Sequence, residues 1–134
     1  MAKPTKRVYV VDDSPIVRNR LIRLISDIPG TTIVGEADSA LEAVQRINAA
    51  APDLVILDIS MPGGSGMYVL ENLKKHAPKL PVIMLSNFTH DQYRDKCREL
   101  GADYFFDKST EFDQVTRVIE EMQPRGAADA QGRG

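Results

Sequence analysis

Short apolar runs alternate along this chain with stretches whose apolar residues recur every three or four positions, and the alternation repeats five times. Residues 7–11 (RVYVV) are short and rich in β-branched side chains, the pattern of a buried strand. Ser14 and Pro15 then read as an N-cap and a proline at the first helical position. Val17, Leu21, Leu24 and Ile28 follow on one helix face, until Pro29 and Gly30 stop it. Residues 32–37 (TIVGEA) predict a second strand. Ser39 and Glu42 have capping-box spacing for a helix that turns Ala40, Val44 and Ile47 inward, and Pro52 ends it. Residues 53–57 (DLVIL) predict a third strand, apolar enough to be covered on both faces. A glycine-rich loop over residues 61–66 leads into a helix with Met67, Leu70 and Leu73 inward, and Pro78 and Pro81 mark the turn after it. Residues 82–85 (VIML) predict the fourth strand. Thr89 and Gln92 are spaced as another capping box, opening a helix with Tyr93, Cys97 and Leu100 inward and Gly101 at its end. Residues 103–106 (DYFF) predict the fifth strand, and Phe112, Val115, Ile119 and Met122 form the stripe of a last helix.

Five β-α units in succession predict the α/β class, a doubly wound five-stranded parallel sheet with five helices distributed over both faces. Right-handed crossovers favour the flavodoxin-like strand order 2-1-3-4-5. The 134 residues suit one domain, assigned to residues 1–122. Residues 123–134 have no periodicity and few apolar side chains, which predicts a disordered tail.

Composition narrows the function classes. Net charge is −2, so no strong field invites nucleic acid or an anionic membrane, and direct nucleic-acid binding is not expected. No apolar run approaches the roughly 20 residues of a membrane helix. Lys3, Lys6 and Arg7 are not followed by an apolar stretch of signal-peptide length. The single cysteine, Cys97, excludes an internal disulfide and fits a reducing compartment, so a cytoplasmic location is expected. Cys97 itself reads as a small apolar residue in a helix core.

In an open parallel sheet, ligands bind outside the carboxyl ends of the strands, at the point where strand order reverses. Asp12 and Asp13 follow the first strand, Asp58 the third, Ser86 the fourth and Lys108 the fifth. Order 2-1-3-4-5 makes strands one and three neighbours, which gathers three carboxylates beside a hydroxyl and an ammonium. Two carboxylates about 5 Å apart repel by about 3 kcal/mol at an effective dielectric near 20. Three cannot all stay ionised without a cation, and Mg²⁺ suits a few carboxylates, several waters and phosphate oxygens. An aspartate carboxylate is also a nucleophile toward phosphorus, giving an acyl phosphate. Phosphoryl transfer asks the protein mainly for positioning and charge neutralisation. Each residue alone has an ordinary reading, as a helix-start acid, a turn residue, a loop hydroxyl or a surface cation. Their joint placement at four strand ends is what points to one mechanism.

Residues 10–14 (VVDDS), 58–66 (DISMPGGSG), 85–87 (LSN) and 101–108 (GADYFFDK) resemble the receiver domain of bacterial two-component response regulators, and the resemblance spans residues 6–122. It implies a phosphorylation-activated signalling switch rather than an enzyme with a substrate of its own. Asp58 would be the phosphoacceptor, supplied by a sensor histidine kinase, a histidine phosphotransfer protein or a small acyl phosphate. Asp13, Asp58 and the Ser60 carbonyl would ligate Mg²⁺, with Asp12 acting through a water. Lys108 would pair with phosphoryl oxygens, and Ser86 and Phe105 would rearrange as the switch pair. The expected readout face is the fourth helix, fifth strand and fifth helix. The resemblance leaves open a phosphorylation-dependent dimer, and it identifies neither the kinase nor the target.

The chain departs from the family pattern at three positions: Phe105 stands where tyrosine is usual, Asn87 where alanine or glycine is usual, and Ser109 where a proline follows the lysine. Ser60 and Phe88 flank the expected phosphoryl site, and a bulky Phe88 predicts slow self-dephosphorylation. Three other readings fit less well, one of them a receiver-shaped interaction module that is never phosphorylated, disfavoured because no residue of the acidic pocket has been lost. A haloacid-dehalogenase-type phosphohydrolase needs a second Asp two residues after its nucleophile, whereas Asp12 and Asp13 are adjacent and Ser14 follows. A flavodoxin-like cofactor binder needs a small-residue phosphate loop where this pair of acids would repel phosphate.

Overall fold

The computed structural model describes residues 5–61 and 64–122; the expected tail at 123–134, and Pro62 and Gly63 of the glycine-rich loop, lie outside the described residues. The elements alternate without exception: β1 (Lys6–Val11), α1 (Pro15–Ser26), β2 (Thr31–Ala37), α2 (Ala40–Ala50), β3 (Leu54–Leu57), α3 (Gly66–His76), β4 (Val82–Ser86), α4 (Asp91–Glu99), β5 (Tyr104–Asp107) and α5 (Gln114–Glu121). The five strands form one parallel sheet in the order β2-β1-β3-β4-β5, the order the alternation predicts. A small antiparallel hairpin, Ser60–Met61 against Gly64–Ser65, sits between β3 and α3.

Alternate residues of each strand feed two cores. Val8, Val10, Leu54, Ile56, Ile83 and Leu85 pack against Leu21 and Ile25 of α1 and Val115 and Ile119 of α5. Tyr9, Val11, Val55, Leu57, Val82 and Met84 pack against α2, α3 and α4. Burial on both faces explains why the strands read as continuous apolar runs. Gly35 has a place in β2 because the Tyr9 ring lies over it: a Cβ there would fall 2.3 Å from Tyr9 Cε2.

The helix boundaries follow local chemistry. Ser14 Oγ accepts the Val17 amide and Ser39 Oγ the Glu42 amide, capping α1 and α2 as expected. The α4 end is a Schellman turn around Gly101 (φ +102°): the Gly101 amide bonds the Arg98 carbonyl and the Ala102 amide bonds the Cys97 carbonyl. Two expectations are corrected. The stripe of α1 runs through Leu21 and Ile25 rather than Leu24, which is 36% exposed. That stripe assumed a helix reaching residue 28, but α1 ends at Ser26 and Ile28 packs from the turn, so the buried face rotates onto Ile25. The Thr89–Gln92 capping box does not form. The Tyr93 and Arg94 amides bond the His90 carbonyl, so α4 starts at Asp91 and His90 is its N-cap without a side-chain bond.

Cys97 is fully buried, and burial pushes its thiol up to about 11. At pH 8 almost no thiolate is present, so iodoacetamide should alkylate the folded protein at least ~100-fold more slowly than the unfolded chain. Equal rates, followed by intact mass, would place Cys97 at the surface.

Candidate functional site

The site is built by the register of β1 and β3. Val8 to Val11 pair with Leu54 to Leu57, and the Asp58 amide then donates to the Val11 carbonyl at 3.1 Å. The first residues past the two strands are therefore Asp12 and Asp58, side by side. Both are buried, at 1% and 5% exposure, while Asp13 is exposed. Carboxylate oxygens of Asp12, Asp13 and Asp58 all lie within 4.8 Å of one another.

Asp12 is fixed on every side. Its amide bonds the Ala37 carbonyl, Oδ1 accepts the Ser14 amide at 2.9 Å, and Oδ2 accepts Lys108 Nζ at 2.7 Å. The same Nζ donates to Asp58 Oδ2 at 2.9 Å. Lys108 is delivered by the edge strand β5, where its amide bonds the Ser86 carbonyl at 3.0 Å. Asp107 shapes the following loop, accepting the Ser109 amide at 2.8 Å and its hydroxyl at 2.6 Å. These bonds hold the Asp107 carboxyl below the ordinary range. The Lys108–Ser109 bond is trans, as is every described peptide bond, in keeping with the roughly 3 kcal/mol that a cis bond costs without proline.

One ammonium thus serves two buried carboxylates. Burial lowers the Lys108 pKa, but the hydrogen bonds it donates to Asp12 and Asp58 outweigh that and hold the group protonated, above its usual value. Burial raises the Asp58 carboxyl, and half a share of Lys108 does not cancel that; the Asp12 charge adds to it. With three carboxylates against one ammonium, two negative charges stay uncompensated. A cluster of hard oxygen donors with excess negative charge fits a small divalent cation such as Mg²⁺, and Asp12, Asp13 and Asp58 are the residues that would hold it.

The backbone around Asp58 is as constrained as the charges. The Gly66 amide bonds the Ile59 carbonyl at 2.6 Å, and a Cβ on Gly66 would lie 1.8 Å from the Asp58 carbonyl oxygen. Only glycine lets α3 start this close to the loop. Ser60 is exposed and lines a cleft of about 280 Å³ with Ile59, Met61, Ser65, Phe88 and Tyr93.

The other predicted residues sit apart from the acids. Ser86 is fully buried, and its Oγ accepts the Phe88 amide at 3.0 Å rather than bonding Asp58 or Lys108. Phe105 is half-buried against the α2–α4 side of the core, with the Arg94 guanidinium 4.7 Å above its ring. Two residues escaped the sequence reading. One is Arg94, whose Nε also bonds the Thr89 carbonyl at 3.2 Å. The other is Arg18, whose Nη1 donates to the Asp12 carbonyl at 2.8 Å. Arg18 carried a signal: a cation in the first turn of a helix opposes the helix dipole and implies a nearby acceptor.

A family model described as the response regulator receiver domain matches residues 8–120. The chain belongs to the response regulator receiver domain family. It is 31% identical over 116 residues to the DNA-binding transcriptional activator DevR/DosR of Mycobacterium tuberculosis, covering 87% of this chain and 54% of that protein. It is 35% identical over 120 residues to a protein-glutamate methylesterase/protein-glutamine glutaminase of Treponema denticola, covering 87% of this chain and 32% of that protein. Among solved structures, the CheX–CheY–BeF3–Mg²⁺ complex of Borrelia burgdorferi contains a chain matched at TM-score 0.75 and 28% identity, covering 84% of this chain and 88% of that one. The chain thus spans about half or less of the length of these curated relatives, whose names give different activities. A DNA-binding activator among them removes support from the expectation, drawn from net charge alone, that nucleic acid has no part. No described helix of this receiver is long and apolar enough to cross a membrane.

The raised Asp58 carboxyl predicts a pH-dependent stability cost. The folded state favours its protonated form, so at neutral pH the ionised group destabilises the fold. That penalty disappears as pH falls below the ordinary carboxylate range, where folded and unfolded chains both carry the proton. With divalent ions chelated, Asp58→Asn should therefore raise Tm at pH 7, with a smaller difference near pH 4. Thermal unfolding that shows a lower Tm for Asp58→Asn at pH 7 would contradict this.

Proposed function

We propose that this receiver is a phosphorylation switch in which Asp58 accepts a phosphoryl group, in a Mg²⁺-dependent reaction, from the phosphohistidine of a sensor histidine kinase or histidine phosphotransfer protein. The observation that carries the reading is a buried Asp58 carboxylate, bonded to Lys108 at 2.9 Å, with the carboxylates of Asp12 and Asp13 within 4.8 Å. An Asp58 oxygen attacks phosphorus; the P–N bond breaks, its electron pair stays on the imidazole, and the imidazole takes up a proton. Lys108 is held protonated and can follow the incoming oxygens by giving up its bond to Asp58. Asp13, Asp58 and the Ser60 carbonyl would hold Mg²⁺, with Asp12 acting through a water, and the ion would supply the remaining positive charge when bound. The domain turns over no substrate of its own beyond this transfer and the slow hydrolysis of its acyl phosphate. A cytoplasmic location follows from its proposed donor.

Phosphorylation replaces a charge of about −1 by about −2 and adds three acceptor oxygens. Ser86 spends its oxygen on the Phe88 amide, and its hydroxyl proton is available to such an acceptor. Its movement would pull on the loop into α4, and Phe105 lies beneath the same helix. The proposed output face is therefore α4, β5 and α5, used to bind a target, relay phosphate or form a phosphorylation-dependent dimer. A near-complete shift of a two-state element takes roughly 5.5 kcal/mol of differential interaction. Charge-assisted hydrogen bonds plus metal contacts are of that order. Amide shifts on adding acetyl phosphate and Mg²⁺ should concentrate in α4, β5 and α5; shifts confined to α1 and α2 would refute this face.

The chemistry is tested by intact mass after incubation with Mg²⁺ and acetyl phosphate. The native chain should gain one phosphoryl mass and Asp58→Asn none; a native chain that gains nothing removes the proposal. Followed over time after donor removal, the same measurement reports lifetime. Phe88, 44% exposed on the cleft beside Ser60, should hinder the attacking water, so Phe88→Ala should lose its phosphoryl group several-fold faster. Equal decay would leave Phe88 without that role.

A further inference from the structure

We infer that Arg18 is a positioning residue for the acidic pocket, a clamp that sets the backbone carrying Asp12 and Asp13 without touching metal or phosphate. The inference rests on the Mg²⁺-dependent reading above. Arg18 lies in the first turn of α1, and its side chain is 15% exposed. Nη1 donates to the Asp12 carbonyl at 2.8 Å, and Nε pairs with Glu36 Oε1 at 2.7 Å. Glu36 is on β2, where it pairs in register with Val10 of β1. One planar guanidinium therefore ties the loop that leaves β1 to the neighbouring strand, using two different nitrogens.

That tie acts where the loop has least other support. The Asp12 amide and side chain are already held, by Ala37, Ser14 and Lys108. The carbonyl of Asp12 begins the peptide that leads to Asp13, and Arg18 is its partner. Asp13 is exposed, so packing does little to aim its carboxylate. The orientation of that peptide decides whether the Asp13 oxygen converges with those of Asp12 and Asp58. The helix N-terminus opposes a cation, but Glu36 and the nearby carboxylates offset that field, so charge alone does not require the directed bond to the Asp12 carbonyl.

Charge and geometry predict opposite signs, which makes the inference testable. By charge alone, deleting a cation near three carboxylates strengthens Mg²⁺ binding. By positioning, the same deletion weakens it, as loss of groups that orient metal ligands commonly does by about tenfold or more. Mg²⁺ binding is measured by calorimetry on the native chain, Arg18→Met and Arg18→Lys, with Tm in chelator recorded for each. Arg18→Met keeps the apolar stem and should bind Mg²⁺ about tenfold more weakly. Arg18→Lys keeps the charge but has one nitrogen for two acceptors, so it should also bind more weakly, by a smaller factor. It keeps the test answerable if the Met variant does not fold. Native-like or tighter binding in a folded variant overturns the clamp while leaving the proposed function intact. A native chain that binds no Mg²⁺ overturns both.

Discussion

The pocket exists because parallel pairing leaves adjacent strands ending at the same level. β1 and β3 are in register through four residues, and the bond from the Asp58 amide to the Val11 carbonyl continues that register past the strand ends. Asp12 and Asp58 then have no freedom to avoid each other. Burial on both sheet faces enforces the register, since a slip of one residue would turn every inward side chain of β3 to the other core. The apolar sheet thus holds like charges together that would separate in a looser structure. Lys108 offsets one of the three, and the remaining negative charge suits a small divalent cation.

Much of this was legible in the sequence because it depended on periodicity and on strand ends. The five runs, the strand order and the placement of Asp12, Asp13, Asp58, Ser86 and Lys108 follow from alternation and from the rule for parallel sheets. What escaped the sequence depended on side-chain reach. Nothing in spacing says that Lys108 bridges Asp12 and Asp58, that Arg94 lies over Phe105, or that Arg18 turns back on the Asp12 carbonyl. The misplaced residues were also of one kind, at helix edges. Leu24 and Thr89 were assigned from spacing, but the rotation and start of a helix are set by where the chain leaves the sheet, a tertiary constraint.

The glycines show how tightly site and scaffold are joined. Gly66 is needed by the start of α3 and by the Asp58 carbonyl at once, so the helix and the loop after β3 cannot be displaced separately. Gly101 does the opposite service at the far side of α4, turning the chain sharply so that β5 can return Lys108 to the pocket. The first fixes the Asp58 backbone and the second delivers its counter-charge.

The helices are not equally anchored, and this bears on which of them can answer a change at Asp58. α3 buries Val69, Leu70 and Leu73 in the core, each such side chain contributing roughly 1.5–3 kcal/mol. α4 fully buries Cys97 alone, has no side-chain bond at its N-cap, and follows a loop closed by the Ser86–Phe88 bond. Its other ties are polar or aromatic: Arg94 to the Thr89 carbonyl and the Phe105 face, and Tyr93 edge-on to Phe88. Such contacts are individually weak and can be exchanged without opening a core cavity. A rearrangement starting at Ser86 therefore meets less resistance in α4 than in any helix held by several aliphatic side chains. The proposed output face lies there because the fold leaves its least secured helix next to its most strongly charged pocket.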